Sequence, residues 1–228
     1  MTGSARPAGC VFDAYGTVFD VTSAAARCQE VLGERAEALS ALWRTKQLQY
    51  TWLRSLMGVH ADFWQVTGDA LDAALEALDI ADPALRVRLM ECYLTLDAYG
   101  DVAPAVERLK RAGLRTVILS NGSPTMLASA VDTAALGRHF DAVLSIEEVG
   151  VYKPHRAVYQ LASDRVGAAP ATIAFVSANG WDAHGAAVFG FRSLWLNRTG
   201  QPAERLPGVI AEEITSLSAL PRLLGIES

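Results

Sequence analysis

The stretch that decides the fold is residues 11–20, VFDAYGTVFD. Its apolar run ends at Phe12, Asp13 follows at once, and Gly16 then allows the chain to turn. Because open α/β proteins carry functional side chains at the carboxyl ends of central strands, we interpret Asp13 as a nucleophile or a metal ligand. A carboxylate that caps the turn is the alternative interpretation of the same residues.

Composition and charge restrict the class of protein. The 228 residues are 51% hydrophobic and 20% charged, which is ordinary for a globular enzyme. A net charge of −5 without a basic cluster argues against a nucleic-acid partner. No apolar run approaches the roughly 20 residues of a membrane span, and no targeting segment is recognisable. The three cysteines have neither disulfide-framework nor zinc-site spacing, so we expect a cytoplasmic protein without a membrane partner.

The chain divides into two parts with different residue patterns. From about residue 22 to 96, alanine, leucine, glutamate and arginine dominate, and helices are predicted at 39–53, 69–78 and 83–96. Beyond residue 100, helices alternate with strands, which are predicted at 116–119, 142–145, 173–176 and 193–196. We predict an α/β fold in which a Rossmann-like parallel sheet core, residues 1–20 and 97–228, carries an inserted all-helical cap domain at 21–96.

Polar side chains follow the ends of several predicted strands. If the strand at 9–12 is central, they converge on one crevice. A lysine there keeps a neighbouring carboxylate ionised, Thr17 is placed to hold Asp13, and SNG at 120–122 suits a carboxylate or phosphate. A solvated lysine and a plain helix cap are the alternatives. The polar residues are Asp13, Ser120, Asn121, Lys153, Ser177, Asn179 and Asp182.

Within the helical part, Arg44 and Leu48 lie on one stripe of a predicted helix. The guanidinium fork of Arg44 suits an anion or a leaving group, although a surface arginine is the commoner reading. Tyr15, Phe63 and Trp181 are candidate walls of an apolar pocket, or simply core residues. The four histidines lack metal or triad spacing, and no G-x-S-x-G motif occurs.

Four motifs together resemble the haloacid dehalogenase superfamily: DAYGT at 13–17, SNG at 120–122, KP at 153–154 and SANGWD at 177–182. The likeness covers almost the whole chain, including WRTKQLQYTWLRSLMG at 43–58, and is strongest for the L-2-haloacid dehalogenases. The phosphatases of the superfamily have a second aspartate where Tyr15 stands here and an acidic residue in place of Ser177. Since a halide leaving group needs no proton and acidic metal ligands are missing, the resemblance implies a reaction without metal or cofactor.

The resemblance implies hydrolytic dehalogenation of short-chain (S)-2-haloalkanoic acids to (R)-2-hydroxy acids with inversion. Asp13 attacks C2, and a water activated by Asp182 then hydrolyses the aspartyl ester. It also implies a homodimer. The other implied site residues are Thr17, Lys153 and Tyr159 beside the nucleophile, Ser177 and Asn179 for the water, Ser120 and Asn121 for the substrate carboxylate, Arg44 and Asn179 for the halide, and Tyr15, Leu48, Phe63 and Trp181 around C2.

Two other functions stay open from the sequence. One is a magnesium-dependent phosphatase of the same superfamily, which chelators would inhibit. The other is a catalytically silent protein that binds a small carboxylate in the crevice. The intact set of nucleophile, lysine and arginine argues against the second.

Overall fold

A parallel six-stranded sheet forms the centre of the molecule in the computed structural model, which describes residues 6–226 apart from the side chain of Ala25. The sheet order is β3-β2-β1-β4-β5-β6. The first strand is therefore central, as predicted, and the predicted α/β class is confirmed. The strands are β1 (Gly9–Phe12), β2 (Arg115–Ser120), β3 (Ala142–Ser145), β4 (Ile173–Ser177), β5 (Arg192–Leu196) and β6 (Glu212–Ile214).

The register of β1 explains its apolar sequence. Val11 lies opposite Val117 of β2 and Phe175 of β4, so the strand has a neighbour on each side. All four residues of β1 are buried, which requires cover on both faces of the sheet. Asp13 is the first residue beyond this buried strand, and its backbone N–H still donates to Val176 O at 2.9 Å.

Five helices follow β1, and residues 21–96 contain no strand in the structure. The sequence prediction began one of these helices at residue 69, but it starts at Phe63 because Asp62 accepts from Gln65 N at 2.8 Å and caps it. Asp82 caps the next helix in the same way, with Pro83 at its first position. The helices are α1 (Ser23–Arg27), α2 (Gln29–Leu32), α3 (Arg35–Met57), α4 (Phe63–Ala77) and α5 (Pro83–Leu94).

The chain leaves the sheet region and returns to it at neighbouring points. Asp20 N donates to Asp97 O at 2.8 Å, and Tyr99 N donates to Val18 O at 3.0 Å. Between these bonds, Phe19 and Ala98 form an antiparallel bridge. The two connections between the sheet and the α1–α5 segment are thus hydrogen-bonded to each other.

The remaining helices alternate with the strands. The short edge strand β6 was not predicted, because two of its three residues are exposed glutamates. Among the described residues, none of the helices has the length and hydropathy needed to cross a membrane. The later helices are α6 (Val102–Arg111), α7 (Pro124–Thr133), α8 (Arg156–Val166), α9 (Gly180–Phe189) and α10 (Leu220–Leu223).

Candidate active site

The carboxylate of Asp13 is the centre of a buried hydrogen-bond network at the carboxyl end of β1. Its Oδ2 accepts from Thr17 Oγ1 and Ser177 Oγ at 3.1 Å each, and from Asn179 Nδ2 at 2.7 Å. Its Oδ1 accepts from Lys153 Nζ at 2.9 Å. The side chain is therefore held in one orientation by four donors, of which three converge on a single oxygen.

The hydroxyl of Thr17 has a fixed direction because of a second bond. Ala178 N donates to Thr17 Oγ1 at 2.8 Å, so the hydroxyl proton is directed at Asp13. In the same loop, Asn179 N donates to Ser177 Oγ at 3.1 Å, which leaves the Ser177 proton for Asp13. The loop after β4 therefore presents two hydroxyl or amide donors to the nucleophile candidate, and the turn after β1 presents the third.

Lys153 lies between the two acidic residues of the crevice and is 1% exposed. Its Nζ is 2.9 Å from Asp13 Oδ1 and 2.7 Å from Asp182 Oδ2. Burial by itself lowers the pKa of this ammonium group, but the attraction of Asp13 and Asp182 outweighs burial and raises the pKa above its ordinary value. The solvated-lysine alternative is wrong, since this cation is buried and paired twice.

Asp182 has a different environment from Asp13. It lies in the first turn of α9, fully buried, and its Oδ1 accepts from Tyr159 Oη at 2.7 Å. Burial raises the pKa of Asp182 to about 6, and the nearby Lys153 opposes that rise. Burial, followed by the charge of Asp182, raises the pKa of Tyr159 well above its usual value, so this phenol stays protonated and donates. A carboxyl group with a pKa near neutrality is suited to general-base chemistry.

The SNG segment at the end of β2 is not the helix cap that the sequence left open. Ser123 caps α7 by accepting from Met126 N, whereas Ser120 Oγ accepts from Gly122 N at 3.0 Å. Asn121 Oδ1 accepts from Lys153 N at 3.1 Å, so this amide ties the loop to the lysine. Gly122 is needed because a Cβ there would lie 2.8 Å from the ring of Tyr15.

Arg44 of α3 contributes a cation from the opposite side of the crevice. Its Nη2 donates to Asn179 Oδ1 at 3.2 Å, while Asn179 Nδ2 donates to Asp13. Asn179 therefore bridges the guanidinium and the nucleophile candidate. Arg44 also lines a cleft of about 430 Å³ formed with residues of α1, α2 and α3 and of the segment before α1.

Aromatic rings cover the apolar side of the site. The ring centroid of Tyr15 is 5.5 Å from that of Phe63, and the Tyr15 hydroxyl is buried without a hydrogen-bond partner among the described residues. Trp181 is half-buried and meets Trp52 edge-on at 5.3 Å. Leu48 is half-buried one turn after Arg44 on α3.

Most of the predicted site residues thus form one connected group. Tyr15 joins it through its backbone oxygen, which accepts from Asn179 Nδ2 at 3.0 Å, and Phe63 packs against the Tyr15 ring. Ser120 lies next to Asn121 at the end of β2 and accepts from Gly122 N. No hydrogen bond or ring contact within residues 6–226 connects Leu48 or Trp181 to the polar network. The residues in that network are Asp13, Thr17, Arg44, Asn121, Lys153, Tyr159, Ser177, Asn179 and Asp182.

Sequence reasoning missed a second layer behind Arg44. Gln47, three residues further along α3, accepts from Arg44 Nη1 at 2.7 Å. The i, i+3 spacing is a signal that could have identified Gln47. Thr67 and Tyr93, which bond Gln47 in turn, lie on other helices and left no such signal. In the described part of the chain, no group of three or more His, Cys, Asp or Glu side chains is arranged to hold a metal ion.

This chain belongs to the haloacid dehalogenase-like hydrolases, whose family profile matches residues 7–190. It is 46% identical over 216 residues to (S)-2-haloacid dehalogenase 4A of Burkholderia cepacia, a match that covers 94% of each chain. A dehalogenase solved as an intermediate complex superposes with a TM-score of 0.94 at 44% identity, over 96% of this chain and 98% of that one. The L-2-haloacid dehalogenase of Xanthobacter autotrophicus with covalently bound chloropropionic acid gives a TM-score of 0.90 at 36% identity, over 97% and 100%.

Proposed function

We propose that the protein is a hydrolase that converts short-chain (S)-2-haloalkanoic acids to (R)-2-hydroxy acids through an ester on Asp13, without a metal ion. The observation that carries this proposal is the environment of Asp13, whose carboxylate is held by four hydrogen-bond donors. Tyr15, two residues further on, offers no acid that could protonate an alkoxide leaving group. A departing halide needs none. The names of the similar enzymes support the substrate class.

In the first step, Asp13 attacks C2 of the substrate from the side opposite the halogen. Three donors already engage Oδ2, so we assign the attack to Oδ1. The new bond joins Oδ1 to C2, the carbon–halogen bond breaks with its electron pair, and the carbon is inverted. Ser120 and Asn121 bind the substrate carboxylate, and Arg44 with Asn179 receives the halide.

In the second step, water attacks the carbonyl carbon of the Asp13 ester, and Asp182 takes its proton. Negative charge develops on Oδ2, where Thr17, Ser177 and Asn179 donate at 2.7–3.1 Å, with Lys153 close by. The bond between the carbonyl carbon and Oδ1 then breaks, and the hydroxy acid leaves with Oδ1 and the proton that Asp182 took from water. The new Asp13 carboxyl group releases its remaining proton and is again a carboxylate. Tyr159 keeps Asp182 oriented through its bond to Oδ1 of Asp182.

The apolar wall completes the substrate site. Tyr15 and Phe63 pack together with tilted rings, and we assign Leu48 of α3 and Trp181 of α9 to the same wall. Together they surround C2 and its substituent. Exclusion of water by these side chains strengthens the interactions of Asp13 with its fixed donors.

Halide release tests the proposed function. The substrates are the separate enantiomers of 2-chloropropionate, chloroacetate and fluoroacetate, each with and without EDTA. We expect release from the S enantiomer and none from the R enantiomer, with EDTA having no effect. Activity confined to the R enantiomer, or lost with EDTA, would contradict the proposal. Chelator-sensitive hydrolysis of a phosphate ester would instead indicate a phosphatase, and binding without halide release a silent binding protein.

We also propose that residues 1–20 and 97–228 act as the core domain and residues 21–96 as a helical cap domain. The paired connections near Asp20 and Asp97 support this division, because both links lie at one place. Limited proteolysis tests it: early cuts are expected within 21–96 or at its two borders.

We propose a homodimer in solution. The end of α3 and the following loop expose apolar side chains, with Leu56 at 84%, Met57 at 65% and Val59 at 57%. Such a surface is costly to leave in water. Light scattering should give twice the chain mass, and L56K/M57K should halve it if these side chains are part of the interface.

We further propose a cytoplasmic location. All three cysteines are free thiols, and Cys10 and Cys28 are buried. This pattern fits a reducing compartment. Fractionation of expressing cells is the test, with the periplasmic fraction as the outcome that would contradict it.

A further inference from the structure

The guanidinium of Arg44 is held from behind by a buried group of polar side chains that the proposed reaction does not use. Gln47 is 1% exposed, Thr67 0% and Tyr93 4%. Gln47 Oε1 accepts from Arg44 Nη1 at 2.7 Å and from Tyr93 Oη at 3.1 Å. Its Nε2 donates to Thr67 Oγ1 at 2.7 Å.

The direction of every bond in this group is determined. Thr67 Oγ1 donates to Phe63 O at 2.6 Å, so its oxygen is left to accept from Gln47 Nε2. Gln47 must then present Oε1, and not its NH₂ group, to Arg44. A flipped amide would set donor against donor at Arg44 and acceptor against acceptor at Thr67. The α4 backbone thus fixes the orientation of a side chain on α3.

Tyr93 acts in the same sense. Burial raises the pKa of its phenol, although the nearby Arg44 opposes that rise, so the hydroxyl stays protonated and donates to Gln47. The Tyr93 hydroxyl therefore acts on Arg44 through Gln47, since Gln47 Oε1 accepts from both. Gln47, which Tyr93 helps to hold, is therefore a neutral acceptor at one edge of the guanidinium.

The charge of Arg44 is left uncompensated by this arrangement. Its hydrogen-bond partners Gln47 and Asn179 are neutral, and no carboxylate forms an ion pair with it in residues 6–226. A positioned cation without a counter-ion, next to the nucleophile candidate, is prepared for an anion that forms during the reaction.

We infer that Gln47 is a positioning residue, which aims Arg44 at the departing halide with Thr67 and Tyr93 as its supports. This inference rests on the proposed dehalogenation and adds a residue to it. Because a carbon–chlorine bond breaks less readily than a carbon–bromine bond, the chloride reaction depends more on a well-aimed guanidinium. Loss of Gln47 should therefore reduce the chloride reaction more than the bromide reaction.

The test compares Gln47→Met, which keeps the length of the side chain but removes both hydrogen-bonding groups, with Thr51→Val. Thr51 is equally buried on α3, but its hydroxyl donates to the backbone oxygen of Leu48 and bonds no side chain of the site. Measured on chloroacetate and bromoacetate, kcat/KM reports the step that releases halide. We expect Q47M to lower kcat/KM for chloroacetate by roughly 10- to 100-fold and for bromoacetate several-fold less, with T51V leaving the ratio of the two unchanged.

An equal decrease for both substrates would overturn the inference, because it would mark Gln47 as a structural residue only. So would unchanged kinetics in Q47M. Should Q47M fail to fold, Tyr93→Phe removes the hydroxyl that donates to Gln47, and the same shift of the chloride-to-bromide ratio is expected.

Two measurements separate this inference from the proposed function. If the unaltered protein releases no halide, the proposed function itself is wrong. A leaving-group effect in R44K without one in Q47M overturns only the inference about Gln47.

Discussion

The two cations of the site, Lys153 from the core and Arg44 from the helical segment, have opposite surroundings. Lys153 is buried between two carboxylates at 2.9 and 2.7 Å, so its charge is neutralised within the protein. Arg44 is half-buried and held by the neutral amide groups of Gln47 and Asn179. The core therefore fixes charges that are present throughout the reaction, and the helical segment keeps a charge free for an anion that appears only in its course.

The largest effect expected on the core side is that of Asp13→Asn. The amide cannot form the ester, so turnover should fall by roughly 10⁴-fold or more while the fold is kept. Halide release within minutes of mixing is the measurement, and mass spectrometry excludes deamidation to aspartate. Asp20→Asn, in the same segment but outside the network, is the control. Wild-type rates in an intact D13N protein would show that no covalent step occurs there.

Next in size is the difference in stability between Lys153→Met and Arg44→Met. Without Lys153, two carboxylates stay buried and unpaired, which should lower the free energy of unfolding by roughly 3–5 kcal/mol at pH 7.5. Arg44→Met leaves only neutral partners and should cost about 1 kcal/mol. Urea denaturation checks both values.

The pH dependence of this loss has a definite sign. In K153M the charge that opposes the effect of burial on Asp182 is gone, so the folded-state pKa of Asp182 lies further above its ordinary value and protonation favours the folded state. The penalty should shrink as the pH falls from 7.5 to 5. Equal losses in K153M and R44M at every pH would contradict the proposed contrast between the two cations.

A smaller effect is expected for Tyr159→Phe on the pH profile of kcat. Asp182 must be ionised to accept a proton, so activity should fall as the pH drops through its pKa of about 6. The Tyr159 hydrogen bond lowers that pKa, and its loss should move the acid limb upward by roughly one pH unit. Tyr152→Phe, whose buried hydroxyl donates to Ala61 O, is the matched control. An unmoved acid limb in Y159F would mean that Asp182 is not the titrating base.

The smallest effect concerns the hydroxyl of Tyr15. This group is buried with no hydrogen-bond partner among the described residues, whereas that of Tyr152 is bonded at 2.6 Å. Tyr15→Phe should raise the free energy of unfolding by about 1 kcal/mol, and Tyr152→Phe should lower it by a similar amount. Thermal unfolding of the two variants measures both changes in stability. If Y15F is less stable than the unaltered protein, the Tyr15 hydroxyl has a hydrogen-bond partner.

The core half of the site was predictable because its parts lie next to strands in the sequence. Asp13 and the SANGWD motif each follow an apolar run, and parallel strands bring such ends to one edge. Of the Gln47 group, only Gln47 itself had a sequence signal, its spacing from Arg44. Thr67 and Tyr93 were not predictable, since they lie on two other helices whose packing no local pattern encodes. The strand β6 was not predicted for another reason. Two of its three residues are exposed glutamates, whereas a strand pattern needs alternating apolar and polar residues.

The hydrogen bond between Asp20 and Asp97 has a consequence for how such proteins diversify. The chain leaves the sheet region and returns to it at one place, so residues 21–96 are topologically a single large insertion in a complete sheet. A short turn from Asp20 to Asp97 would connect the rest of the chain without changing the order of any strand. We therefore expect that residues 21–96, which carry Arg44, can be lengthened or replaced as one unit. The preference for the leaving group can then change while Asp13 and its hydrogen-bond donors stay as they are.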